Sequence, residues 1–151
     1  MKRSEITRAQ AQAQRQFAEA GIPTDPTVPI EIADFGLGRY AQEGLALIVR
    51  VNEAEYCSKY MALLPGQACP AHYHTRKKET FFALRGMVEL VVDGEAITLA
   101  PGEQYTLRPG ANHTFRAPHG AVIEEVSTHD ENSDSYFDNP HVVRDTTIEE
   151  D

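Results

Sequence analysis

The sequence predicts an all-β fold, an antiparallel jelly-roll barrel in a single domain, preceded by a short N-terminal helix. Three observations predict it. From residue 44 onward, short apolar or alternating runs recur at roughly ten-residue spacing. Turn dipeptides separate them: Pro65-Gly66, Arg85-Gly86, Asp93-Gly94, Pro101-Gly102, Pro109-Gly110 and His119-Gly120. Between the breaks no stretch carries the 3.6-residue period of a helix. At 151 residues the chain is long enough to bury about two thirds of its unfolded surface in one core.

Residues 1–30 read as a helix and an extended arm. Ser4 to Ala20 is rich in Ala and Gln, and Ile6, Ala9 or Gln10, Ala13, Phe17 and Ala20 fall on one helical face. Ser4 is the expected cap and Gly21 the stop. Pro23, Pro26 and Pro29 keep the next segment extended. The apolar stripe is thin, so this helix is expected to pack on the outside of a larger body.

Residues 31–130 read as the barrel. Its expected strands are Leu45–Val51, Tyr56–Leu64, Thr80–Leu84, Met87–Val92, Ala96–Leu99, Gln104–Leu107, His113–Ala117 and Ala121–Thr128. Asp93-Gly94, between Val91-Val92 and Ala96-Ile97, is a tight-hairpin signal. Arg85 and Glu89 are expected on a solvated face or as a hairpin pair. Residues 131–151 read as an acidic tail whose Tyr136 and Phe137 lie against the barrel before the chain frays.

Composition excludes several classes of partner. A net charge of −9 disfavours nucleic acid and anionic membrane surfaces, which require a basic face, while a neutral or cationic small molecule remains open. The start of the chain is charged and glutamine-rich, and no run approaches the ~20 apolar residues of a membrane span, so the expected setting is cytoplasmic. Cys57 and Cys69 form no close-spaced pair and are expected as reduced, part-buried thiols, a disulfide being the alternative if both face the same side of neighbouring strands.

The chemistry concentrates between Gly66 and Gly86. His72 and His74 are two apart, so on a strand both point to one face, ~6.5 Å apart along the chain. Glu79 follows the polar stretch Thr75–Lys78, and His113 starts a strand after the Arg108-Pro109-Gly110 turn. Three imidazoles and one carboxylate, without a thiolate, suit Mn²⁺, Fe²⁺, Co²⁺, Ni²⁺ or Zn²⁺. Four ligands on a six-coordinate ion leave two positions for water or substrate. Strand parity puts Lys59 with Cys57, Met61 and Leu63 on one face, against Tyr56, Ser58, Tyr60 and Ala62 on the other, and does not decide which face is inward. It also leaves open which of Glu124 and Glu125 faces the interior.

The spacing Gly66-x5-His72-x-His74-x4-Glu79-x6-Gly86, followed by Gly102-x7-Gly110-x2-His113, resembles both halves of the cupin signature. More specific strings are Asp34–Gly38, Tyr56–Lys59, Pro65–Pro70 with His72-Tyr73-His74, Gln104–Thr106 and Glu125–Ser127. Together they resemble the D-lyxose isomerases, small manganese-dependent cupin sugar isomerases, from about Asp34 to Pro140. The resemblance implies a cupin jelly roll with Mn²⁺ held by His72, His74, Glu79 and His113. It also implies Lys59 and Glu125 as acid/base groups and an unphosphorylated sugar substrate isomerised through a cis-enediol. A homodimer is expected by analogy with cupins of this size. The chain departs from the family in having only a compact hairpin at Asp93-Gly94 where relatives carry a longer insertion. The same ligand set also serves iron-dependent dioxygenases of this fold, and a non-enzymatic sugar-binding cupin is the third alternative. The Lys59–Glu125 pair favours the isomerase, because neither alternative needs it.

Overall fold

The computed structural model describes residues 1–151. In chain order the elements are α1 (Arg3–Glu19), β1 (Glu31–Ala33), β2 (Leu45–Asn52), β3 (Cys57–Leu63), β4 (Ala68–Tyr73), β5 (Glu79–Arg85) and β6 (Val88–Val92). They continue with β7 (Glu95–Leu99), β8 (Gln104–Leu107), β9 (His113–Arg116), β10 (Ala121–Ser127), a 3₁₀ turn (Asn132–Asp134) and β11 (Tyr136–Phe137). The strands form two antiparallel sheets, in the orders β1-β2-β3-β10-β5-β8 and β11-β4-β9-β6-β7. Side chains of both inner faces, among them Leu63, Phe81, Leu90, Leu107, Phe115 and Ile123, fill the space between. This is the expected jelly roll with its N-terminal helix.

The turn chemistry works as the sequence suggests. Asp93 and Gly94 both adopt positive φ, 47° and 84°, as a two-residue hairpin matched to strand twist requires. Gly86 is fixed for a different reason. Its φ is +74°, and a Cβ there would run into the carbonyl of Gly120 in the neighbouring turn.

Three expectations need correcting, and a fourth holds in one of its two forms. Three strands were not anticipated: β1, β4 and β11. β4 carries the first two histidines, but Pro70 interrupts its pattern, and its register against β9 shifts between Cys69 and His72. The helix starts one residue earlier than its expected cap. Lys2 occupies that position, and Ser4 instead bonds the Asp151 carboxylate through its amide and hydroxyl. Arg85 and Glu89 lie on the solvated face, as one of their two expected placements has it, and do not pair with each other. Arg85 turns to Glu19 of the helix and Glu89 to Arg116 across the β6–β9 ladder. The tail does not fray. After β11 pairs with β4, Val143 N–H donates to Phe35 O, Thr146 Oγ1 donates to Ile32 O, and Glu149 pairs with Met1 and Arg3 through the backbone.

The helix packs outside the barrel, as its thin stripe predicts. Ala13 and Phe17 seal it against Ile48, Ala62 and Val122 on the outer face of the larger sheet. That placement has a consequence for β3. With α1 covering part of its outer face, Ala62 there is buried as fully as Met61 inside, and Ser58, which accepts from Arg50, is buried nearly as fully as Lys59.

Candidate metal centre and cavity

Strand register brings the polar side chains together. His72 on β4 sits directly opposite His113 on β9. Glu79 opens β5, and the inward face of that strand continues through Phe81 and Ala83. In the larger sheet Glu125 on β10 lies directly opposite Lys59 on β3 and Phe81 on β5. The inward face of β3 is therefore the one carrying Lys59. Glu125 is the inward acid of its pair, while Glu124 meets Arg50 on the outside.

His72, His74, Glu79 and His113 are all buried, and one ligand atom from each lies within 4.8 Å of the others. All three Nδ1 atoms face backbone carbonyls: Pro70 at 2.8 Å, Asp134 at 2.9 Å and Ala111 at 2.9 Å. A carbonyl only accepts, so each Nδ1 carries the proton and each neutral ring turns a lone pair on Nε2 toward the cluster. Glu79 Oε1 then stands 2.9 Å from His113 Nε2 and 3.5 Å from His74 Nε2. Neither nitrogen, nor either oxygen of Glu79, makes a well-formed hydrogen bond. Buried lone pairs crowded on one point favour a cation between them, and the donor set could hold a divalent ion.

In the metal-free protein a proton competes for that place. Burial pushes His113 down, but the adjacent Glu79 carboxylate outweighs it and the net shift is upward. Burial, with His113 as a secondary cause, lowers His72 to about 3. Glu79 is disfavoured as an anion by burial, yet Lys77 and the two imidazoles hold it well below the usual carboxylate range. Protons therefore compete with metal chiefly at His113. Mn²⁺ affinity is expected to fall as pH drops through and below the ordinary histidine value of about 6.5. Affinity measured calorimetrically that stayed constant from pH 7.5 to 5 would contradict an imidazole-built site.

Beside the cluster lies a cavity of about 670 Å³. Its polar wall holds residues that the sequence reading passed over. Lys77, from the run Thr75-Arg76-Lys77-Lys78, is buried and points inward: its Nζ lies 3.1 Å from Glu79, 3.3 Å from Glu125 and 3.0 Å from Asp130. Burial alone would lower the Lys77 amine, but these three carboxylates more than reverse that and keep it charged beyond the ordinary lysine range. Asp130 also accepts from Lys59 at 2.8 Å and from Arg144 of the tail. Burial would raise Asp130, but the three cations hold it ionised. Glu125 is different. Burial raises its carboxyl above the ordinary value, only partly opposed by Lys77 and Lys59. Cys57 and Cys69 are unpaired and buried, and desolvation pushes both thiols upward, so neither supplies a thiolate.

The rest of the lining is mixed, with apolar Leu47, Met61, Phe81 and Phe137 beside polar Asn52, Asn132 and Thr146. No helix is long and apolar enough to cross a membrane.

Comparison with known proteins bears on the family and the fold. Residues 59–126 match the cupin domain family. A D-lyxose/D-mannose isomerase of Thermosediminibacter oceani is 35% identical over 180 aligned positions, covering 99% of this chain and 99% of the relative. A D-lyxose ketol-isomerase of Cohnella laeviribosi is 36% identical over 179 positions, with 99% and 98% covered. Both alignments are longer than the 151-residue chain, so these relatives carry residues without counterparts here. The L-ribose isomerase of Cellulomonas parahominis superposes with a TM-score of 0.86 at 17% identity over 99% of this chain and 98% of the other. That of Geodermatophilus obscurus gives 0.85 at 19% over the same shares.

Proposed function

The chain belongs to the D-lyxose ketol-isomerase family of cupins, and from that premise we propose a metal-dependent aldose–ketose isomerase. Its substrates are small unphosphorylated sugars, D-lyxose with D-xylulose or D-mannose with D-fructose. The observation that carries the reading is a second buried carboxylate, Glu125, braced by two lysines and separate from the ion-ready cluster. Neither a binding module nor an oxygenase needs such a braced acid/base pair, whereas moving a proton between adjacent carbons does.

His72, His74, Glu79 and His113 would hold the ion, with Mn²⁺ as the expected metal. When bound, it would act as a Lewis acid on the sugar's O1 and O2. Glu125 takes the proton from C2; the C2–H pair becomes the C1=C2 bond, and the C1=O π pair moves to O1, which is protonated. Loss of the O2 proton and return of the carbon proton from Glu125 to C1 give the ketose. The raised carboxyl of Glu125 suits a base that must also give its proton back. Lys59, 3.9 Å from Glu125, is placed to supply or steady the oxygen proton, while charged Lys77, 3.3 Å from Glu125, balances the carboxylate that acts as base. Asp130 occupies Lys59, Lys77 and Arg144 together, so the cavity has no free cation for a phosphate.

The test is to incubate Mn²⁺-loaded protein with lyxose, mannose, xylulose and fructose in D₂O and follow products by NMR. Interconversion with deuterium entering at carbon is expected, lost on chelation and restored by Mn²⁺. Tight sugar binding without ketose formation would overturn the proposal, as would oxygen consumption by an Fe²⁺-loaded sample. A cytoplasmic homodimer belongs to the same reading, and a 16.8 kDa species in sedimentation velocity would remove the dimer.

A further inference from the structure

Two of the three imidazoles are oriented locally. His72 and His113 each bond the carbonyl two residues before them. His74 instead bonds the carbonyl of Asp134, 60 residues away in the C-terminal segment. The carboxylate of that same residue reaches the loop between His74 and Glu79. Its Oδ1 accepts from Thr75 N–H at 2.9 Å and Thr75 Oγ1 at 2.6 Å, and its Oδ2 from Arg76 N–H at 3.1 Å and Lys77 N–H at 3.0 Å. Three consecutive amides converge on one anion that is 2% exposed. Burial would favour the neutral acid, but these donors outweigh it and hold the carboxyl at about 2. Ser135, the next residue, links the same point to Arg144 of the tail at 3.1 Å.

We propose that Asp134 is a positioning residue for the metal centre. By fixing the His74 ring and the Thr75–Lys77 loop together, it makes metal affinity depend on docking of the C-terminal segment. The inference rests on reading His72, His74, Glu79 and His113 as ligands. Linkage is reciprocal, so metal must stabilise the docked segment by the same factor that docking strengthens metal binding.

The experiment titrates metal-free wild type, Asp134→Asn and Phe17→Leu with Co²⁺, reading the d–d absorption bands. Asparagine keeps the size but turns an NH₂ toward amide donors. Its Co²⁺ affinity is expected to fall roughly ten- to a hundredfold, with shifted bands, as for other groups that orient metal ligands. Phe17→Leu, buried between helix and sheet, should lower the melting temperature while leaving affinity and bands unchanged. Co²⁺ should also slow proteolysis of residues 131–151 in wild type and not in Asp134→Asn. Should Asp134→Asn fail to fold, Thr75→Val removes a single bond to the carboxylate and should weaken Co²⁺ about three- to tenfold. A folded Asp134→Asn, or failing that Thr75→Val, that binds within twofold of wild type with identical bands would overturn the proposal. A wild type with no d–d bands at all would overturn the ligand reading beneath it.

Discussion

Replacing Glu125 with glutamine should lower turnover by about a thousandfold while leaving metal affinity and fold in place. Glutamine fills the same volume and can bond Lys77 or Lys59, but it cannot accept a proton from carbon, a role worth roughly 10²–10⁴ in rate. Metal should stay, because Glu125 is not among the four clustered ligands. Stability provides an independent readout. The folded carboxyl of Glu125 lies above its unfolded value, mainly through burial. Such a group favours the folded state below the unfolded pKa and loses that contribution as pH rises through the folded one. At pH 7 and above its charge is carried against stability, so Glu125→Gln should melt at or above the wild-type temperature. Lys77 keeps Glu79 and Asp130 as partners in the variant. The same shift sets an acid limb in the metal-saturated pH–rate profile, since protonated Glu125 cannot act as base. That limb should lie above the usual glutamate value of about 4.3. Turnover of Glu125→Gln within threefold of wild type, with metal bound, would move the base elsewhere.

How far the site was legible depends on where each residue's partners come from. The four clustered ligands were readable because their spacing is local: two histidines in strand alternation, a glutamate at the next strand's start, and a histidine after a turn. Inward placement of Lys59 was not readable from parity, because α1 buries the other face of β3 and both sets of residues look alike. Lys77 was missed for the opposite reason. In sequence it belongs to a basic, polar run whose neighbours Arg76 and Lys78 are exposed. Its burial follows from Glu79, Glu125 and Asp130, which come from β5, β10 and the loop after β10. Asp130, at the very end of the expected barrel, and Arg144, in a segment that reads as an acidic tail, were hidden likewise, because what brings them to the cavity is a set of scattered single bonds. The missed strands are short or interrupted, β4 by Pro70 and β11 by its two-residue length.

Lys77→Met should be the most damaging of the cavity variants, with a pH signature that separates electrostatics from packing. Methionine preserves most of the apolar stem, so the change is chiefly the loss of a buried cation shared by three carboxylates. Removing one partner of a buried pair costs about 3–5 kcal/mol, because the remaining charges stay desolvated and uncompensated. Without Lys77, both Glu79 and Glu125 shift upward from their wild-type positions, since Lys77 is the largest charge lowering each. Carboxyls raised in the folded state favour folding below their unfolded value and oppose it as pH rises through the folded one. The stability deficit of the metal-free variant should therefore be full at pH 8 and shrink toward pH 5. Wild-type Lys77, whose own shift is upward, contributes no change across that window. Bound Mn²⁺ would neutralise Glu79 directly, so the deficit should also shrink on loading, leaving mainly the uncompensated Glu125. With more of that base protonated near neutrality, the acid limb of activity should move to higher pH and the maximum rate should fall. Urea denaturation at pH 5 and 8, with and without Mn²⁺, reads the first three effects. A loss equal under all four conditions would mean that Lys77 acts by filling space, and that its charge is not what holds the three carboxylates together.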